Sequence, residues 1–162
     1  MSIPKQPSLT VRAISASETY ALRHAVLWPQ KPMSYVQLPE DAAGQHFGAF
    51  VSSDDASEEL VSIISLFMDG NGEARFRKFA TATSWQGKGI GSALLAYTIE
   101  AAAKTGARNI WCDTRQSALP FYERFGMSSE GEAFFKGEIH VPMSCIIRLG
   151  RFENRVTAGN PI

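Results

Sequence analysis

Gln86-Gly87-Lys88-Gly89-Ile90-Gly91 is a stretch suited to holding an anion. Three glycines at alternate positions let the backbone turn tightly and keep side chains clear, so successive N–H groups can face one phosphate. The amphipathic run behind it, Gly89 to Lys104, predicts a helix whose unbonded N–H groups and positive dipole end reach the same place. Ser92 offers a hydroxyl there, and Lys88 either adds charge to a phosphate or stands as an ordinary surface lysine. Two familiar phosphate signatures do not fit. A Walker loop requires Gly-Lys followed by Ser or Thr, and here Gly89 follows Lys88. A dinucleotide fingerprint requires a third glycine at position 92, which is Ser, and a βαβ unit that this stretch lacks.

A second informative segment lies downstream, from Asn109 to Met127. It predicts a strand, then a short helix carrying Phe121-Tyr122. Ser117 suits the helix cap, Pro120 its first turn and Gly126 a left-handed stop. Phe121 and Phe125 stand one turn apart and are expected to face the core, turning Tyr122 to a different face. Gln-x-x-Gly-x-Gly at 86–91 followed by this block resembles the GNAT superfamily of N-acetyltransferases. The motifs carry the resemblance over about residues 73 to 145, and the N-terminal part follows by pattern.

The resemblance implies a donor, acetyl-CoA, whose pyrophosphate rests on the backbone of Gln86, Gly87, Lys88, Gly89, Ile90 and Gly91, with Ser92 beside it. It also implies that Phe79, Ala80 and Thr81 pair with the pantetheine arm. The Phe79 N–H then stabilises the thioester oxyanion by about 3 kcal/mol if well aimed. Tyr122 is the expected partner of the departing sulfur. A phenol of pKa about 10 is a weaker acid than a thiol of about 8.5, so hydrogen bonding describes this role better than full proton transfer. An amphipathic core tyrosine is the structural alternative.

Only about one alkyl amine in a thousand is neutral at pH 7, so a base or water relay is useful. In histone-modifying members the base is a Glu at the position that register gives to Arg75. This chain therefore lacks it. His140 is ranked first among substitutes and Glu73 second, a structural or surface histidine being the alternative for the former. Arg75, Arg77 and Arg23 suit the carboxylate or phosphate of an acceptor, which would make it a small anionic amine rather than a polybasic tail. Ion pairs with neighbouring acidic residues are the competing reading. Asp113 is expected to bond backbone at the next helix, and Trp28, Tyr35 and Trp85 to line the mouth or simply to pack.

These groups need a scaffold. Strands are predicted over Leu9 to Ile14, Gln45 to Val51, Leu60 to Met68, Glu73 to Thr81 and Arg108 to Asp113, with a final hairpin over 128–136 and 139–148. Asp69-Gly70-Asn71-Gly72 marks a hairpin turn. A helix capped by Ser15 or Ser17 should cover 17–27, with Tyr20 and Leu22 or Arg23 inward, and Trp28-Pro29 should stop it. The long helix should bury Ile90, Leu94, Tyr97 and Ala101 and stop at Gly106. This order suits an α/β (α+β) fold: a mixed, mostly antiparallel sheet of about seven strands flanked by about three or four helices. Residues 1–150 are expected to form one domain and 151–162 a polar C-terminal tail.

At 162 residues, with 16 basic and 16 acidic side chains, the chain suits one domain with a full core and shows no general charge for nucleic acid or a membrane surface. No secretory leader or membrane span is visible, which points to the cytoplasm. Cys112 and Cys145 read as reduced, buried thiols. No metal-ligand cluster is visible, and the mechanism requires no metal. The apolar final strands suit a homodimer, as in many relatives. The leading function is acetyl transfer from acetyl-CoA to a primary amine of a small acceptor. A non-catalytic acyl-CoA-binding or regulatory domain competes with it, as does O-acyl transfer, and fold alone does not separate the three.

Overall fold

The computed structural model describes residues 7–53, 57–134 and 144–149. The described residues form two compact units: those up to Phe67 with Lys78–Thr98, and Met68–Arg77 with those from Ile99 onward.

The first unit contains β1 (Ser8–Ile14), β2 (Gln45–Ser52) and most of β3 (Glu58–Met68), paired antiparallel with Val11 opposite Ala49 and Phe47 opposite Ile64. His46 to Val51 and Val61 to Leu66 are buried without alternation, so these two strands are covered on both faces. The last residues of β4 (Glu73–Thr81) complete this part of the sheet. Ser15 and Glu18 form a reciprocal cap: the Glu18 N–H donates to Ser15 Oγ at 3.3 Å, and the Ser15 N–H to Glu18 Oε1 at 3.0 Å.

Beyond that cap the predicted regular helix is not formed. A 3-10 turn (Ser17–Thr19) leads to α1 (Tyr20–Leu22) and then a π segment (Arg23–Leu27). Arg23, not Tyr20, takes the fully buried position, because its guanidinium finds a set of acceptors there. α2 (Ile90–Lys104) also differs from its predicted stripe. It buries Ile90, Leu94, Leu95, Thr98, Ile99 and Ala102, while Tyr97 is 39% exposed. The Tyr97 ring lies edgewise on Phe47, with centroids 5.2 Å apart, which covers its apolar body and leaves the phenol to water.

In the second unit Asp69 closes the predicted turn, its Oδ1 accepting the N–H groups of Asn71 at 2.7 Å and Glu73 at 3.1 Å. The first half of β4 pairs parallel with β5 (Asn109–Arg115), and β5 pairs antiparallel with β7 (Ser144–Leu149), which pairs with β6 (Ser128–Phe134). The result is the expected mixed, mostly antiparallel architecture, with seven strands and three α-helical elements among the described residues. Cys112 is a buried thiol outside any disulfide, and the side chain of Cys145 lies outside the described set.

α3 (Leu119–Glu123) reverses one expectation. Tyr122 is buried, while Phe121 and Phe125 are half-buried. The tyrosine turns inward because its ring packs on Phe76 and its hydroxyl meets Thr114, so neither part is left unsatisfied. Ser117 sits exposed in the preceding 3-10 turn and makes no capping bond, whereas Gly126 adopts the left-handed stop at φ 83°.

Candidate functional site

The glycine-rich stretch Gln86 to Gly91 lies within the first unit. Gly87 and Gly89 have φ of 76° and 83°, and a Cβ added at either would meet nothing within 4 Å. Conformation, not space, requires glycine at both. Among the described residues, the first backbone N–H after Gln86 that donates to a backbone carbonyl is that of Ala93, to Gly89 at 3.1 Å. The N–H groups from Gly87 to Ser92 therefore have no backbone acceptor at the start of a fifteen-residue helix. This fits a polyanionic group such as a pyrophosphate. Lys88 is exposed, with Nζ 5.9 Å from the Trp85 ring centroid.

The cradle is tied to the end of β4. Gln86 Nε2 donates to the Thr81 carbonyl at 3.0 Å, and a Cβ at Gly91 would stand 3.4 Å from the Phe79 ring and 3.5 Å from Thr81 Oγ1. Ser62 shares a 2.7 Å hydrogen bond with Thr81 Oγ1 and donates to the Ala80 carbonyl at 3.2 Å. A hydroxyl is tolerated at Thr81 because Ser62 satisfies it. The sequence offered no signal for Ser62, since its partner lies on another strand.

Lys78, just before this segment, has φ 55°. A non-glycine residue there costs about 1–2 kcal/mol and persists only where its surroundings hold it. Its ammonium lies 4.4 Å from the Trp28 ring centroid. Nothing in the sequence marks a lysine for this conformation.

Two of the expected anion-binding arginines have other partners. Arg23 is fully buried: Nη1 donates to Asp41 Oδ2 at 2.8 Å and to the Val36 carbonyl at 2.9 Å, and Nη2 to Asp41 Oδ1 and Ser65 Oγ, both at 2.9 Å. Burial alone would raise the Asp41 carboxyl, but hydrogen bonds from Arg23 and the Leu38 N–H reverse the effect and hold it below its ordinary range. In the second unit Arg75 Nη2 donates to Asp113 Oδ2 at 2.7 Å, and its guanidinium lies 4.6 Å from the Trp111 ring centroid. Asp113 thus meets Arg75. The Arg75 side chain keeps 31% exposure, and Arg77 is half-buried with a partner of its own.

Tyr122 also belongs to the second unit, its ring centroid 5.9 Å from that of Phe76 and 5.0 Å from that of Phe121. Burial pushes its hydroxyl well above the ordinary phenol range, Cys112 adds to that, and a hydrogen bond with Thr114 offsets part of it. The group stays a neutral hydrogen-bond donor. Glu73 opens β4 at the Asp69 turn, half-buried. His140 lies outside the described residues.

A pocket of about 400 Å³ opens elsewhere in the first unit, lined by Ile14, Ser15, Asp41, Gln45, His46 and Phe47 among others. None of the residues from Gln86 to Ser92 lines it. Among the described residues, no helix is long and apolar enough to cross a membrane, and no group of three or more metal-capable side chains is gathered.

Comparison with known proteins agrees with this geometry. The acetyltransferase (GNAT) family model matches residues 13–127. An uncharacterized N-acetyltransferase of Bacillus subtilis (strain 168), YitI, is 28% identical over 134 residues, spanning 78% of this chain and 87% of that protein. The IAA acetyltransferase of Bacillus cereus ATCC 14579 superposes with a TM-score of 0.68 at 18% identity, covering 88% of this chain and 99% of the other. A Bacillus subtilis acetyltransferase solved in complex with CoA gives 0.63 at 21% identity, covering 90% and 99%. The two structures share the fold, and the family model spans most of the chain, cradle included: this protein is a member of the acetyltransferase (GNAT) family.

Proposed function

We propose that the protein is a cytosolic N-acetyltransferase that moves an acetyl group from acetyl-CoA to a primary amine of a small acceptor, without a metal. The observation that carries this reading is the cradle: two left-handed glycines and a row of backbone donors lacking backbone acceptors at the N-terminus of α2. The relative solved with CoA supports the choice of donor. The amine nitrogen attacks the thioester carbonyl, the C–N bond forms, the C–S bond breaks, and the amine proton leaves to a base or water. Backbone at Phe79 faces the oxyanion, and the Tyr122 hydroxyl donates to the departing sulfur. Glu73 and His140 are the groups to test as base. A homodimer belongs to the same proposal.

A second reading, a non-catalytic acyl-CoA-binding domain, draws on one observation. Arg75, at the register position of the histone-modifying base, is engaged with Asp113. Release of CoA thiol from acetyl-CoA across amino acids, polyamines, aminoglycosides and short peptides separates the two. Turnover that depends on an amine supports catalysis. CoA binding without such turnover favours the second reading.

Gly89→Ala tests the cradle directly. The strain of a left-handed alanine, about 1–2 kcal/mol, should lower CoA affinity about tenfold in an isothermal titration. An unchanged affinity would remove this loop from the donor site.

A further inference from the structure

An aromatic and cationic surface of the first unit has no part in the steps above. Trp28 and Tyr35 meet edge to face, with centroids 5.1 Å apart and planes at 84°. Lys78 Nζ lies 4.4 Å from the Trp28 centroid, and Lys31 Nζ 5.1 Å from that of Tyr35. Tyr35 is 49% exposed and Met33 48%. The loop carrying most of these residues is held in place. His24 Nε2 meets the Lys31 carbonyl at 2.7 Å, the Lys31 N–H donates to the Trp28 carbonyl at 3.1 Å, and the buried Arg23 binds the Val36 carbonyl.

This surface is continuous with the cradle strand. Lys78 directly precedes Phe79, and the Phe79 ring lies against the cradle at Gly91. Lys78 is also the one non-glycine residue with positive φ among those described. Strain of this kind persists where packing over-determines it and is concentrated at ligand sites.

We propose that this surface selects the acceptor: an amine carrying its own carboxylate and an apolar side chain, the chemistry of an apolar α-amino acid. Lys31 and Lys78 supply positive charge at the two rings. A carboxylate between or beside them gains charge-assisted hydrogen bonds. Trp28, Tyr35 and Met33 offer apolar area to the side chain at little entropic cost, because the loop is already ordered. Lys31 makes no ion pair among the described residues. Polyamines and basic peptides would bring like charge to the same place.

The inference rests on the acyl-transfer reading, and the test separates the two. Steady-state kinetics should be compared for phenylalanine and leucine against their amides, in wild type, Lys31→Gln and Lys78→Gln. Wild type should favour the free acid, and each variant should raise its KM about tenfold while leaving the amide's KM, the acetyl-CoA KM and kcat within about twofold. A merely structural role would move the acid and amide together. Lys78→Gly relieves the positive φ, so the same KM pattern in that variant, with an undiminished Tm, excludes misfolding as the cause. Equal KM for acid and amide in wild type overturns the inference and leaves acyl transfer standing. If no amine releases CoA, calorimetric binding of phenylalanine and its amide to the CoA-loaded protein decides. Acid-selective binding lost in Lys31→Gln upholds the surface, and no acid preference sinks it.

Discussion

Asp41→Ala should lower unfolding free energy by about 3–5 kcal/mol, measured by urea titration, because it strands the charge of a fully buried arginine. The carboxylate receives both terminal nitrogens of Arg23 and the Leu38 N–H, while the Asp41 carbonyl meets His46 Nε2 at 2.9 Å. That contact requires a proton on His46 Nε2; Nδ1 lies 2.7 Å from Ser65 Oγ, which in turn accepts from Arg23 Nη2. The four side chains form one connected network, in which Arg23 Nε is left without a hydrogen-bond partner among the described residues.

Replacing both charges, as in Arg23→Met with Asp41→Leu, should cost far less than Asp41→Ala alone, since no unpaired ion remains. A loss below about 1 kcal/mol in the single variant would mean the pair behaves like an exposed one and would defeat the argument. The pair also sets an acid limb. The folded-state pKa of Asp41 is depressed, so its contribution is complete above the ordinary carboxylate value of about 3.9 and is lost as pH falls through the folded value. Asp41→Ala should flatten that part of the stability–pH curve.

Tyr122→Phe should lower kcat by on the order of 10- to 100-fold with little change in the acetyl-CoA KM, the range expected for one hydrogen bond to a developing anion. The ring contacts with Phe76 and Phe121 survive the change. The lost bond to Thr114 should cost about 1 kcal/mol of stability, which leaves the fold intact for the comparison. Because burial keeps the phenol protonated, the wild-type rate should show no loss from Tyr122 ionisation up to about pH 10. Stability behaves accordingly. The raised folded-state value keeps its contribution complete below the ordinary phenol pKa of about 10 and lets it decline as pH rises beyond that. An unchanged kcat in Tyr122→Phe would return this residue to a packing role.

Elements whose geometry is settled within a few residues are legible in the amino-acid order. Gly87 and Gly89 turn left-handed, Asp69 closes its own turn, and Ser15 with Glu18 caps the chain after β1, all from neighbours along the sequence. Faces are less legible where apolar residues crowd a short helix. In α3, Phe121-Tyr122 and Phe125 carry too little polar contrast to define an inner side, and Thr114 and Phe76, from two strands, draw the tyrosine in. In α2, two adjacent apolar rows replace the single predicted stripe and leave Tyr97 at its edge.

Taken alone, the chain determined the strand order, the left-handed glycines of the 86–91 turn and the family, because turn chemistry and hydrophobic period act over short distances. The tertiary structure alone decided which charges are spent. Arg23 and Asp41 are eighteen positions apart, and Arg75 and Asp113 thirty-eight, and only strand pairing and packing bring such partners within 3 Å. Burial then makes pairing compulsory, because an ion removed from water must find its counter-ion or disrupt the fold. The same packing set Lys78 on Trp28, in a conformation that no local rule assigns to a lysine.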